Sequence, residues 1–273
     1  MNQQTEDSSS HKTILAAKSL SVAYGERLVI PDLSLQIAMG AITALVGPNG
    51  SGKSTLLKAL ARLIAPRNGS VYLDGRAIQR MPAREVARQL AILPQGPVSP
   101  EDLTVRELVE QGRYPHAGPL RMLREQDSEA ITRALAETNM TELRHRRLDS
   151  LSGGERQRAW IALALAQETP ILLLDEPTTF LDVGHQLEVL TLIRQLNRAQ
   201  GKTIVLVLHD LNQAARFADR MIVLQAGRIV ADGPPAAVLT PPLLSEVFQV
   251  QAYIISHPVD GLPVCLPYAL GEE

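Results

Sequence analysis

Gly47-Pro48-Asn49-Gly50-Ser51-Gly52-Lys53-Ser54-Thr55 is the stretch on which the fold turns. The apolar run Ala41–Val46 precedes it, bounded by glycine on both sides in the manner of a buried strand. Helical sequence follows from Lys53 to about Arg62. A G-x-x-x-x-G-K-S match between a strand and a helix reads as a phosphate-binding loop. The glycines let successive backbone N–H groups turn inward onto phosphate oxygens, and the helix N-terminus adds partial positive charge. In that setting Lys53 reaches the β- and γ-phosphates, and the Ser54 hydroxyl is a ligand for Mg²⁺.

Two other segments extend this reading. Ile171–Leu174 is an aliphatic strand that ends in Asp175-Glu176. Asp175 is expected at the carboxyl edge of the sheet, beside the loop, where it would hold Mg²⁺. Glu176, in an extended chain, points the other way, toward the γ-phosphate side, and is the candidate general base for an attacking water. Leu151-Ser152-Gly153-Gly154-Glu155 opens a further helix, with Ser152 and Glu155 spaced as a capping box. Gly153 and Gly154 are poor helix formers, and they leave backbone N–H groups open to an anion.

Outward from these motifs, Ile14–Val22 and Leu33–Ala38 read as strands around the loop Ala23–Arg27, and Ser70–Leu73 as a strand ended by an Asp74-Gly75 turn. Met81–Gln89 reads as a helix and Ala91–Leu93 as a strand before Pro94-Gln95. Between Gly96 and Asp149 the β signals vanish, while Thr104–Gln111 and Gln126–Thr138 show helical spacing, so an all-helical insertion is expected. Strands return at Thr203–Leu208 and Met221–Gln225 with helices between, a pattern that implies parallel pairing and a covered sheet. Beyond Pro234-Pro235 the chain offers no readable chemistry.

Composition removes several classes. Of the 273 residues, 45% are hydrophobic, enough for a sizeable core. A net charge of −2 and 3% aromatic residues argue against a nucleic-acid surface. The single cysteine, Cys265, rules out an intramolecular disulfide. No run approaches the roughly 20 apolar residues of a membrane span, and the polar N-terminus lacks the pattern of a signal peptide.

Taken together, the three motifs resemble the ATP-binding-cassette (ABC) ATPases, and the resemblance runs through nearly the whole chain. It implies an α/β P-loop NTPase core with an N-terminal antiparallel β subdomain and an inserted α-helical subdomain. The expected division is a disordered tail at 1–12, the ATPase domain at 13–250 with the helical part at about 96–165, and a C-terminal extension at 251–273. The implied cofactors are ATP and Mg²⁺. Thr55 would bind the α-phosphate, Tyr24 would stack on adenine, and Gln95 would contact Mg²⁺ and the attacking water. His209 resembles the switch histidine, and Asp182 the acidic residue that crosses a dimer interface. Ser152–Glu155 would meet the γ-phosphate held by a second copy, which makes the working unit a head-to-tail homodimer.

Gly112-Arg113-Tyr114-Pro115-His116 and Thr178–Gln186 resemble the ATPase subunits of bacterial importers for ferric siderophores, haem and vitamin B12. That likeness implies an integral-membrane permease as partner, indirectly a substrate-binding protein, no nucleic acid, and a peripheral place on the cytoplasmic face. The Thr104–His116 portion, ending in Arg113-Tyr114-Pro115-His116, is the expected dock for a permease helix. The alternative is an ABC ATPase without a membrane partner, such as an iron–sulphur assembly scaffold subunit.

Overall fold

The computed structural model describes residues 12–96, 102–117 and 124–271. The chain opens with a long hairpin, β1 (Thr13–Tyr24) and β2 (Arg27–Ala38), closed by Gly25-Glu26. β2 therefore starts six residues earlier than the composition suggests, and it runs through Pro31. Pro31 is tolerated because β2 lies at the sheet edge, with β1 as its only ladder partner among the described residues. β3 (Ile42–Val46) leads into α1 (Lys53–Leu60), then β4 (Asn68–Leu73) and the short β5 (Arg76–Ala77). α2 (Ala83–Ala87) is shorter than expected. Pro82 starts it, and the chain must be extended again by Leu90 to enter β6 (Leu90–Leu93).

The insertion holds α3 (Val105–Gln111), α4 (Glu125–Glu137) and α5 (Gly153–Ala166). α5 begins at Gly153 because Ser152 is its N-cap, with Glu155 completing the capping box. β7 (Ile171–Asp175), α6 (Val183–Gln200), β8 (Thr203–Val207), α7 (Leu211–Phe217), β9 (Arg220–Gln225) and β10 (Arg228–Gly233) return the chain to the sheet. α8 (Pro235–Val238) and α9 (Pro241–Phe248) then lead to a hairpin of β11 (Val250–Ser256) and β12 (Pro263–Leu270). That hairpin packs on α7 and α9, and Asn212 clamps both the backbone N–H and the carbonyl of Cys265.

Two larger sheets result. The antiparallel one has order β2-β1-β4-β5, and the six-stranded one has order β10-β9-β3-β8-β7-β6. In the second, β9, β3, β8, β7 and β6 run parallel, and every residue of β3, β7 and β8 is buried. Such unbroken aliphatic burial is what a parallel sheet covered on both faces requires. One core fills the space between one face of this sheet and the insertion with α6 and α7, while the other lies between its opposite face, α1 and the antiparallel sheet.

Candidate active site

Three parallel strands deliver their chemistry to one edge of the sheet. β3 runs into Gly47, β7 into Asp175-Glu176, and β8 stops just before His209. At this edge Tyr24, Asn49, Gly50, Gly52, Lys53, Ser54, Thr55, Glu176 and His209 line a cleft of about 340 Å³, together with Arg27 and Val29. No motif marks Arg27 or Val29 in the sequence; the one signal is a basic residue just after the Tyr24-Gly25-Glu26 turn.

The loop itself is shaped by backbone angles that side chains resist. Gly47, Gly50 and Gly52 have φ of 143°, 76° and 102°. At Gly47 a side chain is excluded for a second reason, because a Cβ would run into the carbonyl oxygen of Leu224. Pro48 and Ser51 close the turn, the Ser51 N–H donating to the Pro48 carbonyl at 3.2 Å. The buried Lys53 ammonium donates to the carbonyl oxygens of Gly47 and Pro48, each at 2.9 Å. Burial lowers its pKa, opposed by the attraction of Glu176 and Asp175.

The Ser54 hydroxyl donates to Asp175 Oδ1 at 2.7 Å. Asp175 is 2% exposed, and its Oδ2 is buried without a hydrogen-bond partner. Burial pushes this carboxyl above the usual range; the Ser54 bond and the nearby lysines offset that only in part. A hydroxyl beside a half-satisfied carboxylate is an oxygen-only donor pair, which suits Mg²⁺. Among the described residues no three His, Cys, Asp or Glu could hold a metal alone. Phosphate oxygens would have to complete the shell.

Glu176 is held at both oxygens. Gln95 Nε2 donates to Oε2 at 2.5 Å, Thr179 Oγ1 donates to the same oxygen at 3.0 Å, and His209 Nε2 lies 2.6 Å from Oε1. The backbone here is left-handed, φ 54°, rather than extended as the sequence suggests. The strand ends at Asp175, and the reversal that follows brings the Glu176 carboxylate to His209 and Gln95. A non-glycine residue in this region costs on the order of 1 kcal/mol or more, a strain typical of functional positions.

Ser152, Gly153, Gly154 and Glu155 do not line the cleft. Ser152 and Glu155 cap each other, with the Ser152 N–H donating to Glu155 Oε2 at 2.8 Å. Asp182 is also outside the cleft and caps α6, accepting the His185 N–H at 2.9 Å. Beside it stand two apolar side chains with little cover, Phe180 at 93% and Val183 at 72% exposure.

The expected permease dock needs correction at Arg113. This side chain is buried, 4% exposed, and bonds to Asp127 Oδ1 at 2.8 Å, the Ala166 carbonyl at 2.6 Å and Glu168 Oε2 at 2.7 Å. Arg84 and Arg88 both donate to the Pro115 carbonyl, and His116 Nε2 lies 2.9 Å from the Gln167 carbonyl. The segment is thus a joint that ties α3 to α4 and the end of α5, and the insertion to α2. Only Tyr114, 61% exposed, faces outward.

This edge, with its phosphate loop, paired carboxylates and held glutamate, is that of a nucleotide-hydrolysing domain. The model of the ABC transporter family matches residues 30–179, and the chain belongs to that family, as an ATP-binding and ATP-hydrolysing subunit. It is 49% identical to the iron(3+)-hydroxamate import ATP-binding protein FhuC of Bacillus subtilis (strain 168), covering 94% of this chain and 95% of that one. It is 46% identical to the hemin import ATP-binding protein HmuV of Nocardia farcinica (strain IFM 10152), over 88% of this chain and 83% of that one. Among solved structures, a transporter described as metal-chelate type, in an inward-facing conformation, matches at TM-score 0.81 and 29% identity, covering 94% and 97%. The dimeric bacterial ABC cassette MJ0796 matches at TM-score 0.72 and 30% identity, covering 81% and 99%.

Proposed function

We propose that this subunit powers a bacterial importer of an iron chelate or haem, with cobalamin as a further cargo of the same kind. The cargo reading is supported by the likeness to the iron(3+)-hydroxamate and hemin import subunits, and the hydrolysis by the grip on Glu176 of Gln95, Thr179 and His209, next to a buried carboxylate oxygen of Asp175 with no partner. The loop amides and Lys53 bind the phosphates of ATP, with Thr55 on the α-phosphate. Tyr24, half exposed at the cleft mouth, stacks on the base. Ser54, Asp175 and Gln95 would hold Mg²⁺. Bound there, the ion would neutralise charge on the phosphates. Glu176 takes a proton from the attacking water, and His209 steadies the water and the γ-phosphate.

Two copies work head to tail. Ser152–Glu155 of one copy complete the cleft of the other, and Asp182 lies between them, flanked by the uncovered Phe180 and Val183. ATP binding closes the pair and hydrolysis reopens it. Within each copy, 13–250 form the ATPase unit, 96–165 the helical part that meets the permease, and 251–273 an extension. Among the described residues no helix is long and apolar enough to cross a membrane. The permease, which a substrate-binding protein supplies, holds the subunit at the cytoplasmic face, a reading supported by the likeness to import subunits.

The test is uptake of labelled ferric siderophore, haem and cobalamin in cells that carry the wild-type subunit, none, or Lys53→Ala. Loss of one uptake, restored by wild type but not by Lys53→Ala, supports the reading. Retention of all three, with impaired iron–sulphur enzymes instead, would favour the scaffold alternative.

A further inference from the structure

The segment Ser152–Glu155 does not stand free; it is seated on α6 of its own chain. Gly154 is buried, and a Cβ there would press on the His185 ring, 2.8 Å from Cγ and 3.1 Å from Nε2. The ring therefore occupies the space that any side chain at 154 would need. Its orientation is fixed from the other side. Nδ1 lies 2.9 Å from Asp182 Oδ1, the same oxygen that accepts the His185 backbone N–H. These bonds also draw the Asp182 carboxyl below its usual range. Leu181 Cδ2 would meet a Cβ on Gly153 at 3.5 Å, and one turn further on Arg158 pairs with Glu188 at 2.6 Å. The starts of α5 and α6 are thus joined at three successive levels.

At its other end the same seam reaches Glu176. Thr179 bonds that carboxylate, and the chain runs on through Leu181 and Asp182 into His185. We propose that His185 is a positioning residue: packed on Gly154 and bonded to Asp182, it holds Ser152–Glu155 at the position needed to meet the phosphate carried by a second copy. The inference rests on the composite-site reading above. It also gives Gly154 a second reason to lack a side chain, besides exposing its amide to an anion. Since Glu176 serves one nucleotide and Gly154 the other, the imidazole is a mechanical link between the two clefts.

His185→Ala removes both ring and bond, His185→Phe keeps the ring, and His185→Asn keeps a polar group near Asp182. ADP binding to single subunits needs no partner segment, so it should stay within about twofold of wild type in all three. ATP-driven dimerisation in a Glu176→Gln background, followed by sedimentation, should need about tenfold more protein for His185→Ala, corresponding to the ~1.4 kcal/mol per decade of affinity. The two half-conservative variants should fall between. Gly154→Ala should be rescued in part by adding His185→Ala, because the second change vacates the space the methyl needs.

Dimerisation of His185→Ala at wild-type concentration would overturn the proposal. So would a parallel fall in ADP affinity, or additive effects of the Gly154 and His185 changes. Absence of ATP-driven dimers in the Glu176→Gln parent would instead remove the composite-site reading, and the proposal with it.

Discussion

Asp175 and Asp127 are buried to nearly the same extent, 2% and 3% exposed, yet they answer burial in opposite ways. At the joint of the insertion, burial alone would raise the Asp127 carboxyl. The Arg124 N–H and the Arg113 guanidinium, both at 2.8 Å, outweigh it and hold the group below its usual range. At the phosphate edge, Asp175 has one hydroxyl and an oxygen with no partner, so burial wins and the carboxyl is raised. One region has satisfied its buried charge and so stabilises the fold. The other keeps a charge unsatisfied, at a cost in stability, for a ligand that arrives later.

Changes at the edge should therefore cost activity and spare the fold, while changes at the joint should do the reverse. Glu176→Gln should give the largest effect, a fall in ATP turnover of about 10²–10⁴-fold, with the melting temperature and ATP affinity kept. Turnover near wild type would remove Glu176 from its role as base. Arg113→Ala leaves Asp127 buried and unpaired, a loss of about 3–5 kcal/mol that should lower Tm by ~10 °C. ADP binding by the fraction still folded should be unchanged. An unaltered Tm would mean that the joint is not what holds the insertion.

The smallest effect is also the sharpest test of the contrast. Asp175 is raised above its ordinary value of 3.8, so its penalty is absent below that value and grows as pH rises through the folded pKa. Asp175→Asn should thus raise Tm at pH 7 by ~2–4 °C. Asp127 is lowered from 3.8, so its contribution is full above that value and lost as pH falls through the folded pKa. Asp127→Asn should lower Tm at pH 7 and lose its effect in acid. Scanning calorimetry from pH 7 downward checks both, and shifts of the same sign would break the comparison.

Much of the phosphate edge is legible in the sequence because its parts are contiguous. A buried strand, a glycine loop and a helix start lie within Ala41–Arg62, and an aliphatic strand hands directly to Asp175. What remains hidden depends on distance in the chain. Arg113 looks like a surface residue until Ala166 and Glu168, more than fifty residues on, fold over it. The left-handed turn at Glu176 leaves no mark, since glutamate is not a residue that signals positive φ. The C-terminal hairpin is obscured by Pro263 and Pro267, tolerable there because, among the described residues, β12 pairs with β11 alone.

The central claim is that each catalytic cleft is built from two chains. Mixing Ser152→Arg subunits with Glu176→Gln subunits addresses it most directly. In a mixed pair one composite cleft carries both lesions and the other carries neither. Each variant alone should be nearly inactive, and mixing should restore a measurable fraction of wild-type ATP turnover. Mixed dimers that form, as shown by differential tagging, and yet recover no activity would contradict the account.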